Sequence, residues 1–166
     1  METSTTQETL QSRLANPARL VPELGKIGAA LFAATGNGAI PQTTISLVQL
    51  RAGQIVGNTY LTAFHTANLR KAGEPEARIN AVASWWDAPH FTDAERAALA
   101  AAEAVFTASP HGERVPDELY ARLSAHYDEK AIATLAIGLG QVGFFIPLAL
   151  IGKPLPGVSP AEQWRD

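Results

Sequence analysis

The chain has 166 residues and a net charge of −3, so it carries no basic surplus to neutralise a phosphate backbone, and nucleic acid is not an expected partner. Its length suits one hydrophobic core rather than two independent domains. It contains no cysteine, which excludes disulfides, thiolate metal sites and every reaction that needs a sulfur nucleophile.

Residues 1–16 are polar and rich in Thr and Gln, and they read as a flexible N-terminal arm. They lack the basic start and apolar run of a secretory signal, so a cytoplasmic location is expected. From Pro17, the residues Leu20, Leu24, Ile27, Leu31 and Phe32 recur at helical spacing, and the glycines after Thr35 supply a stop. Thr43 or Thr44 is positioned to cap a second helix carrying Ile45, Val48, Leu50 and Ile55. Gly57 breaks that helix before a third over Asn58–Ala72, which Gly73 closes. Glu74-Pro75-Glu76 opens a fourth helix with Ile79, Val82 and Trp86 on its apolar side, ending before Ala88-Pro89.

Thr92-Asp-Ala-Glu95 spells a capping box, in which the Thr hydroxyl accepts from the Glu amide and the Glu carboxylate reaches back to the Thr amide. The Ala-rich stretch through Phe106 follows as a helix, and the Ser109-Pro-His-Gly112 turn separates it from a helix over Val115–Tyr127. Residues 131–151, AIATLAIGLGQVGFFIPLALI, are uncharged and about as long as a membrane span. Thr134, Gln141, three glycines, Pro147 and six preceding amphipathic segments instead favour the centre of a bundle or a subunit interface, so no membrane is expected. Gly138-Leu-Gly-Gln-Val-Gly143 matches a dinucleotide fingerprint, yet too little chain follows it for the second strand of a βαβ unit. Residues 152–166 read as a Pro/Gly-rich tail. The expectation is an all-α, single-domain helical bundle of about seven helices over residues 17–151, with no convincing strand.

Asn58, Leu61 and His65 stand at i, i+3 and i+7 of the third helix, where three side chains converge on one face. An imidazole there suits general acid/base work, because it titrates near neutral pH, or it serves as a hydrogen-bonded structural group. Asn58 directly follows Gly57 and suits a helix cap, and Leu61 makes the face apolar. Gln54 and Tyr60 flank the helix break as candidate polar lining. Asp87, His90, His111 and His126 lack the spacing of a ligand set, so no metal site is expected.

Four ordered words carry a resemblance: Leu50-Arg-Ala-x-Gln-Ile-x-Gly57, His65-Thr66, Arg70-Lys-Ala-Gly-Glu74, and Trp85-x-Asp-Ala-Pro-x-Phe-Thr92 with Ala94-Glu-Arg-Ala97 after it. Together the chain resembles the carboxymuconolactone decarboxylase/alkylhydroperoxidase D-like family. The resemblance implies an all-helical subunit assembled with itself into dimers, trimers or hexamers. It also implies, for the peroxidase branch, a CxxC pair followed by His, with an upstream Glu in a proton relay. Here the cysteine positions fall on Asn58 and Leu61, the Glu position falls on Ser46, and His65 alone matches. Neither an amide nor an isobutyl group attacks a peroxide. Gly143, Phe144 and Phe145 further occupy a region where peroxidase relatives often carry Trp-Asn-Arg.

The resulting expectation is a cysteine-less, non-redox helical oligomer, without a cofactor, that holds a small molecule near Ser46, Gln54, Asn58, Tyr60, Leu61 and His65. The alternative is an enzyme of the decarboxylase type, whose branch also lacks the CxxC pair. In it His65 is the general acid/base on a small lactone or carbonyl acid, and Arg51 and Arg70 are the cations available to a carboxylate. A peroxidase working through another cofactor stands a distant third.

Overall fold

The computed structural model describes residues 11–109 and 112–164. The first ten residues of the expected arm, Pro110 and His111 of the expected turn, and the last two residues of the tail lie outside the described residues. Among the described residues the regular structure is entirely helical. Seven helices of six or more residues carry the fold: α2 (Glu23–Thr35), α3 (Gln42–Val56), α4 (Thr59–Lys71), α5 (Glu76–Ala81), α6 (Asp93–Phe106), α7 (Asp117–Ser124) and α8 (Glu129–Gly152). Two four-residue helices, α1 (Pro17–Leu20) and α9 (Pro160–Gln163), flank them.

The expected first helix is split, because Val21 leaves the helical conformation and α2 starts afresh after Pro22, which has no N–H to continue α1. The expected Thr cap of α3 is also absent. The helix begins at Gln42 behind Pro41, whose side chain caps nothing, and Thr44 is buried within the first turns. The fourth predicted helix stops early: α5 passes at Ala81 into a 3₁₀ turn, Val82–Ser84. Trp86 therefore faces solvent at 58% exposure instead of lining an apolar side. The Thr92 capping box forms in full, with Glu95 N–H donating to Thr92 Oγ1 at 3.2 Å and Thr92 N–H donating to Glu95 Oε2 at 2.9 Å.

The centre of the bundle belongs to α3. Every residue from Thr44 to Leu50 is buried, so this helix is covered on all sides, packing on α4, α6 and α8. α8 is more apolar than α3 but is covered on one face only. Ala131, Thr134, Leu135, Gly138, Leu139 and Val142 point inward at helical spacing, while Ala133, Ile137, Gly140 and Phe144 face out. Gly138 sits where an added Cβ would lie 3.1 Å from Ile45 Cδ1, so the missing side chain lets α8 close on α3.

The α3–α4 corner positions the site. Gly57 adopts φ +75° as the left-handed end of α3, a conformation that favours glycine, and its N–H donates to the Gly53 carbonyl at 3.0 Å. Asn58 then caps α4, accepting from Leu61 N–H at 2.9 Å. Gly53 lets the returning helix approach, since a Cβ there would meet Thr62 N at 3.2 Å and Leu61 Cβ at 3.3 Å. Leu61 and His65 are thereby turned toward the flank of α3.

Candidate functional site

A cavity of about 790 Å³ opens where α4 meets α3 and the second half of α8. Its floor and walls include Ser46 and Gln49 from α3, Tyr60, Leu61, Phe64 and His65 from α4, and Gln141, Val142 and Phe145 from α8. α2 adds Leu24, Gly28 and Phe32. The two chain ends supply the remaining wall: Ser12 Oγ and Arg13 N–H donate to the Gly152 carbonyl at 3.2 and 2.8 Å, and Trp164 Nε1–H donates to the Leu14 carbonyl at 3.3 Å. Among the described residues, the lining contains no Lys, Arg, Asp or Glu.

His65 is 6% exposed, and its Nδ1 is buried without a hydrogen-bond partner among the described residues. Burial disfavours the charged form and pushes the imidazole down to about 4, so the ring is neutral at physiological pH. Its edge meets the Phe64 ring at 5.3 Å and 85°, and Phe64 in turn stacks on Tyr60 at 6.2 Å and 22°. Burial also raises the Tyr60 phenol, which keeps its proton at neutral pH as a hydrogen-bond donor. Deeper polar groups are partly committed to one another: Gln49 Nε2 donates to the Gly138 carbonyl and to Gln141 Oε1, both at 3.1 Å.

Of the six residues read from the sequence as pocket lining, Ser46, Tyr60, Leu61 and His65 share this cavity. Gln54 and Asn58 are not among its lining residues. Gln54 Oε1 accepts from Arg51 at 3.4 Å, and the Asn58 side chain is spent on the helix cap. The two arginines considered for a substrate carboxylate are elsewhere too. Arg51 makes a two-pronged contact with Glu103 at 2.7 and 2.9 Å and lies over the Trp86 ring at 5.5 Å. This hydrogen bond holds the Glu103 carboxyl below its ordinary range, burial opposing it. Arg70 pairs with Glu76 at the surface.

Gln49, Phe64, Gln141, Phe145, Phe32 and Trp164 also line the cavity, beyond the residues to which the sequence points. Gln141 carried a usable signal, as a lone amide in an uncharged apolar run. The aromatic residues carried none, because their convergence depends on how four separate segments meet. Among the described residues, no three His, Asp or Glu side chains gather as a metal-ligand group.

The sequence model of the Carboxymuconolactone decarboxylase family matches residues 22–104. The uncharacterized protein YdfG of Bacillus subtilis is 35% identical over 123 residues, 74% of this chain and 82% of that protein. The uncharacterized protein YnjA of Escherichia coli is 33% identical over 95 residues, 57% of this chain and 50% of that protein. Among crystal structures, an Agrobacterium tumefaciens protein of unknown function, proposed as the antioxidant defence protein AhpD, superposes with a TM-score of 0.78 at 27% identity, covering 90% of this chain and 100% of that one. The debrominase Bmp8 in complex with 2,3,4-tribromopyrrole superposes with a TM-score of 0.74, covering 87% of this chain and 76% of that one; at 20% identity the likeness is one of fold.

Proposed function

The chain belongs to the carboxymuconolactone decarboxylase family, and from that membership we propose that it is a non-redox member, a self-associating cytoplasmic protein that binds a small molecule in the His65 cavity. The observation that carries this reading is the pairing of Leu61 with a neutral His65, whose Nδ1 has no partner among the described residues, in a cavity whose described lining carries no charged side chain. Thiol-dependent peroxide reduction requires a thiolate to attack oxygen and a second sulfur to resolve the product, and this chain has none. Ser46, at the position of the family's relay Glu, has no carboxylate to move a proton.

The cavity itself supports binding, because its size is that of a pocket for a drug-sized molecule and most of its surface is apolar, interspersed with uncharged polar side chains. The lack of a cation among the described lining residues weighs against the decarboxylase-type alternative, in which a carboxylate must be held beside the general acid/base. Self-association is supported by α8, whose outward Ile137, Phe144 and Ile151 repeat every seven residues and stay 39%, 41% and 66% exposed in the subunit. The same helix is long and apolar enough to cross a membrane, but it spends its inward face on α2 and α3.

Peroxide consumption by the purified chain with a dithiol reductant tests the central claim. The expected rate is that of the reductant alone. Sustained turnover by metal-free protein overturns the non-redox reading.

A further inference from the structure

The lining chemistry narrows the ligand further than its size does. We propose that the His65 cavity takes an uncharged, largely apolar ring compound bearing a hydrogen-bonding group, and that it discriminates against organic anions of the same shape; this rests on the binding function proposed above for that cavity.

Charge is the first argument. A carboxylate or ammonium moved into this space leaves water and meets no opposite charge among the described lining residues, and Arg51 and Arg70 are held by Glu103 and Glu76 away from the lining. The first turn of α3 reaches the cavity through Gln42 and Thr43, but its end carries only about half a unit of positive charge. That partial charge does not offset the desolvation of a full carboxylate.

Shape and polarity supply the rest. Aromatic rings from four segments line the space: Phe32 of α2, Tyr60 and Phe64 of α4, Phe145 of α8, and Trp164 beyond α9. Such walls favour a planar or alicyclic ring, which stacks or meets them edge to face. Polar contacts come from uncharged groups on the same surface, Ser46, Tyr60, Gln141 and the neutral His65. A ketone, phenol, amide or N–H heterocycle is satisfied by these partners without introducing charge.

Matched probes on one ring system test this directly: 2-acetylnaphthalene, 2-naphthoate and 2-naphthylmethylammonium, titrated calorimetrically into the full chain at pH 7. The neutral ketone is expected to bind at least about tenfold more tightly than either ion, the direction set by unpaired charge burial. Gly28→Leu locates the site, because Gly28 lines the cavity and a Cβ added to it meets nothing within 4 Å. It is expected to weaken the ketone at least about tenfold by filling ligand space. Phe145→Ala, which removes a ring that α8 contributes to the lining, is expected to weaken it as well.

Equal or tighter binding of the naphthoate overturns the ligand class while leaving the binding function standing. Binding of none of the three, by protein with a cooperative melt, overturns both. Ketone binding indifferent to Gly28→Leu and Phe145→Ala moves the ligand to another site and overturns the proposal.

Discussion

Gly53 and Leu61 face each other across the α3–α4 corner so closely that a Cβ on the glycine would lie 3.3 Å from the Leu61 Cβ and 3.2 Å from the Thr62 amide nitrogen. Gly53→Ala is therefore a test of how the site is held. Alanine gains up to about 1 kcal/mol of helix propensity over glycine, but one of its new neighbours is backbone that yields only if α4 shifts. The expected net result is a loss of about 1 kcal/mol in urea unfolding, accompanied by weaker binding of a cavity ligand. An unchanged or raised midpoint with intact binding shows that the corner has slack.

The same corner shows what a reader of the sequence could and could not see. Gly57, Asn58 and the Thr92–Glu95 box are local devices, and each forms from residues within four positions of one another, so helix boundaries were legible there. Which helix occupies the centre was not. α3 carries Thr44, Ser46 and Gln49 among its buried residues and reads as partly polar, whereas the uncharged run 131–151 within α8 reads as the core helix. Composition reports how apolar a segment is, but the choice of which one is wrapped is made by neighbours distant in sequence. Arg51 illustrates this, since its partner Glu103 stands 52 positions away, and that contact removes it from the substrate chemistry its charge had suggested.

The pH dependence of stability follows from His65. Its pKa is about 4 in the folded chain against about 6.5 unfolded, so between those values the unfolded state binds the extra proton. Stability from this group is fully present above about pH 6.5 and is lost as pH falls toward 4. The loss reaches up to about 3 kcal/mol from the size of the shift. Urea midpoints at pH 8, 6.5 and 5 should fall in that order, and His65→Gln should flatten the trend, because its amide does not titrate. A wild-type profile flat from pH 8 to 5 contradicts a desolvated imidazole.

The outward stripe of α8 predicts an assembly state. Size exclusion with light scattering should return at least twice the 17.6 kDa subunit mass without detergent. Phe144→Asp combined with Ile151→Asp should shift the protein toward the monomer, since both side chains are exposed in the subunit and their substitution leaves the core untouched. Monomeric wild-type protein refutes the interface, and a requirement for detergent assigns the stripe to lipid.

Restoring the two sulfurs should not restore peroxide chemistry. Asn58→Cys with Leu61→Cys recreates the CxxC spacing at the start of α4, but the inner thiol takes the place of a buried Leu61 beside a neutral His65, in a cavity with no cation among its described lining residues. Apolar burial raises a thiol pKa, and Ser46 offers no carboxylate to collect the proton, so the thiolate fraction at pH 7 is small. The loss of the Asn58 cap adds a destabilisation of about 1 kcal/mol. The double variant is expected to react with a thiol-specific disulfide reagent more slowly than free cysteine and to consume organic hydroperoxide at the rate of the reductant alone. Adding Ser46→Glu supplies the missing proton acceptor, and only that triple variant is expected to rise above background. Rapid turnover by the double variant shows instead that the cavity activates a thiol unaided.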